Sequence, residues 1–204
     1  MNKMKKTLLF CMALCLAAMQ FSGCQKGASR IHGTISSQYN DKRIFLVPLY
    51  GPKTAEYVDS VEIKDGEFEF ATDTLMIAQI VVDYHYRMGV EPLLVITEPG
   101  DIKVEIGEVS HATGTPQNDS LEKWKLATQD YQDQIAKLRR ESKYMEAVSK
   151  QQDYKLLTRT MAEHCEGTLL GEFLANRFPK TYKRQYPDGR EVTIDADTNE
   201  EIPE

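Results

Sequence analysis

The chain has 204 residues, with 25 Lys and Arg against 31 Asp and Glu and a formal net charge of −6. That acidic balance disfavours nucleic acid as a partner, because such binding rests on neutralising phosphates with Lys and Arg. It equally disfavours adhesion to anionic lipid headgroups. If the leader read below is removed, three lysines go with it. The remaining 22 basic and 31 acidic residues then carry −9.

Lys3, Lys5 and Lys6 precede an apolar run from Thr7 to Met19. The run is too short for a comfortable membrane span, which needs about 20 apolar residues, and suits the core of an export signal. It ends at Phe21-Ser22-Gly23-Cys24, which resembles the lipobox cut by the lipoprotein signal peptidase. Small Ser22 and Gly23 let the chain enter that peptidase extended, and the Cys24 thiol would receive diacylglycerol. Phe21 departs from the usual leucine-like residue. An ordinary secretory leader, or an uncut anchor, is the plainer alternative. The expectation is a leader over 1–23, a tether over 24–30, and attachment to the bilayer through acylated Cys24. Surface-exported lipoproteins often carry an acidic run just after the cysteine, and none stands here, so the expectation is an outer-membrane protein facing the periplasm. Of the four cysteines only Cys165 is then left free. A lone thiol excludes an internal disulfide or a Cys-x-x-Cys pair and is expected to be buried and inert.

From Ile31 to Thr113 the pattern has period two. Ile31–Ser36, Arg43–Leu49, Ile77–Arg87, Leu93–Thr97 and Ile102–Ile106 read as strands broken by Gly, Pro, Asn and Asp. Between them, Val61 to Phe70 reads as a hairpin on Asp65-Gly66, whose type I′ turn needs positive φ at both positions. That register sets Ile63 opposite Phe68 and Val61 opposite Phe70 on one buried face. Glu98-Pro99-Gly100-Asp101 has the residue order of a type II turn. About seven short antiparallel strands over 31–115 indicate a β-sandwich.

The period changes at Gly114-Thr115-Pro116, with Asn118, Asp119 or Ser120 as candidate helix caps. Leu121, Trp124, Thr128, Tyr131, Ile135, Leu138, Ser142 and Met145 recur at alternating steps of three and four, as on one helical seam. A second helix is expected over Gln151–Arg177, with Tyr154, Leu157, Met161, His164, Cys165 and Phe173 inward and Gly167-Thr168 as the candidate break. An antiparallel helical hairpin over 116–180 is the simplest arrangement, and a coiled-coil dimer seam the sharper one. The tail over 181–204 is polar and acidic, with room for one small hairpin at Pro187-Asp188-Gly189 and mobility elsewhere. The class is therefore α+β, an antiparallel sandwich followed by a helical hairpin.

Ile31-His-Gly-Thr-Ile35, Val58-Asp-Ser-Val61, Asp65-Gly-Glu-Phe-Glu-Phe70, Pro99-Gly-Asp-Ile-Lys-Val104 and Gly114-Thr-Pro-Gln-Asn118 occur in that order. The series resembles a domain of unknown function common in Bacteroidota lipoproteins, over roughly Ile31 to Pro179. There the domain usually precedes a thioredoxin-like, peroxiredoxin-type module. Tyr186 to Ile194 resembles the strand that opens such modules, but no cysteine pair follows, so the redox activity of the family is not carried over.

His32, His85, His111 and His164 show no zinc spacing, and no metal or cofactor is expected. Asp83, His85 and Arg87 would share a strand face, where a carboxylate could orient an imidazole base. A polar outer face is the bland reading, and no catalytic residue is assigned. Tyr84 and Tyr86 fall on the other face, as core or as the floor of a glycan or peptide groove. Asp59-Ser60-Val61, Asp73-Thr74-Leu75 and Asp119-Ser120-Leu121 resemble O-glycosylation acceptors. These signs point to a non-enzymatic binding or adaptor module for an envelope protein partner, with glycan or peptide binding as the alternative.

Overall fold

The computed structural model describes residues 27–82 and 90–203. Its first part is eight strands: β1 (Ser29–Ile35), β2 (Arg43–Pro48), β3 (Asp59–Glu62), β4 (Glu67–Thr72), β5 (Ile77–Val82), β6 (Leu93–Ile96), β7 (Gly100–Ile106) and β8 (His111–Thr113). They form two four-stranded sheets, ordered β4-β1-β7-β8 and β3-β2-β5-β6. Alternation sends Ile31, Ile35, Phe70, Ile102 and Val104 from the first sheet into one core. Ile44, Leu46, Ile80, Val82 and Val95 enter it from the second. Period two thus does its usual work: apolar side chains face inward and charged ones outward.

The expected all-antiparallel arrangement needs correction at one ladder. β1 and β7 run parallel, with Ile31 opposite Ile102 and Val104 opposite Gly33. Between them the chain crosses to the other sheet for β2 and β3, returns for β4, and crosses again for β5 and β6, so that β7 enters beside β1 from the same end. The Ala28 carbonyl already accepts the Gly100 N–H at 3.3 Å, so ordered pairing begins inside the expected tether.

The turn at Asp65-Gly66 forms as expected, with φ of 52° and 75°. Lys64 and Glu67 exchange both backbone bonds across it, at 3.0 and 2.8 Å. Ile63, Phe68 and Phe70 are buried while Glu62, Lys64, Glu67 and Glu69 face water. The expected ladder nevertheless stops after one bridge. β3 pairs with β2, and β4 pairs with β1, so the turn is a corner between sheets. Its anchors explain this. The Ile35 N–H reaches the Gly66 carbonyl at 2.8 Å, and the Gly66 N–H reaches Asn40 Oδ1 at 2.8 Å. Opposite Phe68 in the β1–β4 ladder stands Gly33. A Cβ on Gly33 would lie 1.9 Å from the Phe68 ring, so the aromatic fills the space the glycine leaves.

Three helices follow: α1 (Pro116–Arg140), α2 (Tyr144–His164) and α3 (Leu169–Ala175). Leu121, Trp124, Ala162, Leu170, Phe173 and Leu174 pack on Ile77 and Ile96 in a second core. The β3-β2-β5-β6 sheet is therefore covered on both faces beside the helices, which accounts for the unbroken apolar run Leu93-Leu94-Val95-Ile96. α1 and α2 lie antiparallel. Trp124 Nε1–H donates to Thr158 Oγ1 at 3.3 Å, Thr128 and Tyr154 hydroxyls bond at 2.8 Å, and the Tyr131 and Tyr154 rings stack at 4.2 Å. The predicted seam runs too far. Ser142 has φ 58° in the interhelix turn, and Met145 stands exposed on α2. Within the second expected helix Leu157 and His164 are exposed and Cys165 is only half-buried. Gly167, at φ 76°, breaks it as expected.

The tail is more ordered than its composition suggests. β9 (Thr181–Gln185), β10 (Glu191–Asp195) and β11 (Glu201–Ile202) form a third sheet, and Ile194 is fully buried. Asp197 clamps this sheet to α2 by ion pairs with Lys155 and Arg159. Arg159 also donates to the carbonyls of Phe178 and Pro179, each at 2.9 Å. Among the described residues no helix is long and apolar enough to cross a membrane.

Candidate functional site

The join between sheet and helices is polar and closely satisfied. Glu98 accepts from the Gln117 and Asn118 N–H groups at 2.6 and 3.3 Å, placing a carboxylate on the donor-rich start of α1. Asn118 is fully buried. Its Oδ1 takes the Ile96 N–H at 2.9 Å and its Nδ2 donates to the Ile96 carbonyl at 2.8 Å. The side chain thus pairs with β6 as a neighbouring strand residue would. The Leu170 N–H, at the start of α3, donates to Gln117 Oε1 at 3.1 Å. This network bolts the helices to the sheet and its members have their partners. The helix begins at Pro116 after extended Thr115, so Asn118 serves the sheet edge rather than a cap.

One turn further along, α1 turns a charged group inward. Glu122 lies 2.7 Å from His111 Nδ1 on β8 and accepts from Lys125 Nζ at 2.7 Å. The Ala112 N–H approaches its second oxygen at 3.4 Å, and Lys125 also reaches the Ser110 carbonyl at 3.3 Å. Burial alone would push the Glu122 carboxyl up. The hydrogen bonds from Lys125 and His111, with the Lys125 charge and the Ala112 N–H, outweigh it and hold the group below its ordinary value. A carboxylate facing Nδ1 calls for a proton on that nitrogen and holds the imidazole ring in one orientation. His111 shares the outer face of the first sheet with His32, Lys103 and Glu105.

Beside this cluster opens a cleft of about 730 Å³. Tyr39, Pro92 and Leu126 supply apolar walls, and Gln38, Ser110 and Gln129 supply polar groups. Nothing in the linear sequence marks the cluster except a carboxylate next to core Leu121, with a lysine three residues on.

Among the described residues no three His, Cys, Asp or Glu side chains converge as metal ligands would. Phe21, Ser22, Gly23 and Cys24 lie outside the described residues, as do Asp83, Tyr84, His85, Tyr86 and Arg87. The stretch of β5 that leads towards them places Ile80 and Val82 in the core.

On the far side of the hairpin, α2 turns apolar groups to water. Met145 is 81% exposed, Leu156 67% and Val148 51%. Ala147 and Thr158, by contrast, are buried on the opposite side of the helix.

No curated protein and no solved structure matches the chain. Residues 29–121, which carry all eight strands of the paired sheets and the first turn of α1, match the family model described as a domain of unknown function (DUF4369).

Proposed function

We propose that the chain is a lipid-anchored envelope protein, held at the outer membrane through acylated Cys24 and facing the periplasm. There it acts as a non-catalytic adaptor that binds a protein partner through its helical hairpin. The reading is supported above all by the outward face of α2. Met145, Val148 and Leu156, with Gln152 between them, fall on one stripe at helical spacing, and three large apolar groups there are left in water. Single exposed apolar residues need no explanation, but three large ones aligned on one helix face are what a partner-binding surface offers. On the same reading the module is of the Bacteroidota lipoprotein kind that precedes thioredoxin-like modules, and a separate thioredoxin-like protein is one partner to look for.

Crosslinking in native membranes tests it, using the lipidated chain, a Cys24→Ala control and a Met145→Asp/Leu156→Asp variant. A stoichiometric partner lost in the variant supports the adaptor. The same partner set recovered from wild type and variant removes the stripe as its interface, and a Cys24→Ala protein that still fractionates with membranes removes the lipid anchor.

A second reading, glycan or peptide binding, draws on the cleft beside Glu122. It predicts a saturable thermal shift with a sugar or peptide panel. Filling the cleft with Leu126→Trp should abolish that shift.

A further inference from the structure

α2 and α3 meet through small residues, and the meeting leaves a groove of about 520 Å³. Ala162, Gly171 and Ala175 line it together with the Phe178 ring. A Cβ on Gly171 would lie 2.1 Å from the Cys165 carbonyl oxygen, so the absence of a side chain there sets how closely the helices approach. The rim is charged and unevenly so. Arg159 and Lys180 are its cations, and both already have carboxylate partners, Asp197 and Glu163. Of the three rim glutamates, Glu163 is therefore matched. Glu166 and Glu172 have no side-chain partner among the described residues.

We propose that this groove docks a segment of a partner protein in which one apolar side chain is flanked by Lys or Arg. The proposal rests on the adaptor reading and names the chemistry of its partner. The floor accepts a methyl-bearing side chain against Ala162, Ala175 and Phe178. The two unmatched carboxylates supply the charge that a flanking cation answers. An acidic segment is repelled by the same pair, so the rim selects as well as attracts.

Fluorescence anisotropy on the full chain tests this with three labelled pentapeptides: one leucine flanked by four lysines, one leucine flanked by four glutamates, and one serine flanked by four lysines. The first alone should bind saturably, and more weakly as salt rises. Glu166→Gln/Glu172→Gln should weaken it by about tenfold, the sum of two exposed charge contacts. Ala175→Leu, at an exposed position that tolerates bulk, should fill the groove and abolish binding. Equal binding of the glutamate peptide, or binding that neither variant changes, overturns the proposal. A partner crosslinked through Met145 and Leu156 but indifferent to Glu166 and Glu172 would leave the adaptor standing and sink this groove alone.

Discussion

Glu122 keeps its charge where burial works against it, because Lys125, His111 and the Ala112 N–H all face it. Its folded-state pKa lies below the ordinary value of 4.5. The stabilisation is therefore present in full above that value and is lost as pH falls through the lowered one. Glu122→Gln should lower the urea midpoint at pH 7 by the equivalent of about 1–3 kcal/mol, since it leaves a lysine and a histidine short of an acceptor. The gap to wild type should close in acid, where the wild-type carboxyl is itself protonated. Gly33 makes a different kind of demand. Gly33→Ala drives a methyl into the Phe68 ring and should cost about 1–3 kcal/mol by overpacking. Combined with Phe68→Leu, the loss should fall well short of the sum in chemical denaturation, because the two changes meet at one site.

At the level of elements, Asp197 carries the ion pairs that clamp the third sheet to α2. Hydrogen bonds from Arg159 and then Lys155 hold Asp197 down to about 2, against an ordinary 3.8. The clamp is thus complete above the ordinary value and opens only as pH falls through about 2. Asp197→Asn should speed amide exchange across 181–202 at neutral pH while β1 to β8 keep their protection. Uniform loss of protection would mean that the third sheet is integral to the core. The sequence shows why this sheet was hard to foresee: its strands are short and polar, and besides buried Ile194 what holds them to α2 is long-range, through ion pairs between positions some forty residues apart. The same limit explains the corner at Asp65-Gly66. Turn chemistry and alternation fix which residues face inward, and both were legible. Which strand pairs with which is decided by Asn40 and Ile35 holding the turn, and local pattern carries no trace of that. The helix seam was legible as far as half-buried Leu138. Beyond it the 3.6 period continues into a turn that Ser142 makes by its positive φ. The His111–Glu122 pair needed the fold, since β8 is three residues long and gives little period of its own.

At the scale of the whole molecule, three layers share the β3-β2-β5-β6 sheet: the other four-stranded sheet on one side and the helices on the other. The end at which β1 and β7 begin is also where α1 starts, for a Cβ on Gly100 would lie 3.0 Å from Thr115 Cγ2. From there α1 climbs beside β8 in the sense in which β7 runs, Glu122 reaching the level of His111 and its ladder partner Glu105. Its 25 residues span about 37 Å at the helical rise. With lipid on Cys24, only four chain steps separate the anchor from Ala28, a leash of about 14 Å at full stretch. A fluorophore at Thr74 in the lipidated protein should then be quenched by headgroup-labelled lipid, and one at Lys143 should not; equal quenching would show the hairpin lying flat. So short a leash turns an anchor into a compass. On the proposed reading the sheet end would stay against the bilayer, the tip of the hairpin would point into the periplasm, and Met145 and Val148 would be offered to whatever approaches from the side away from the membrane.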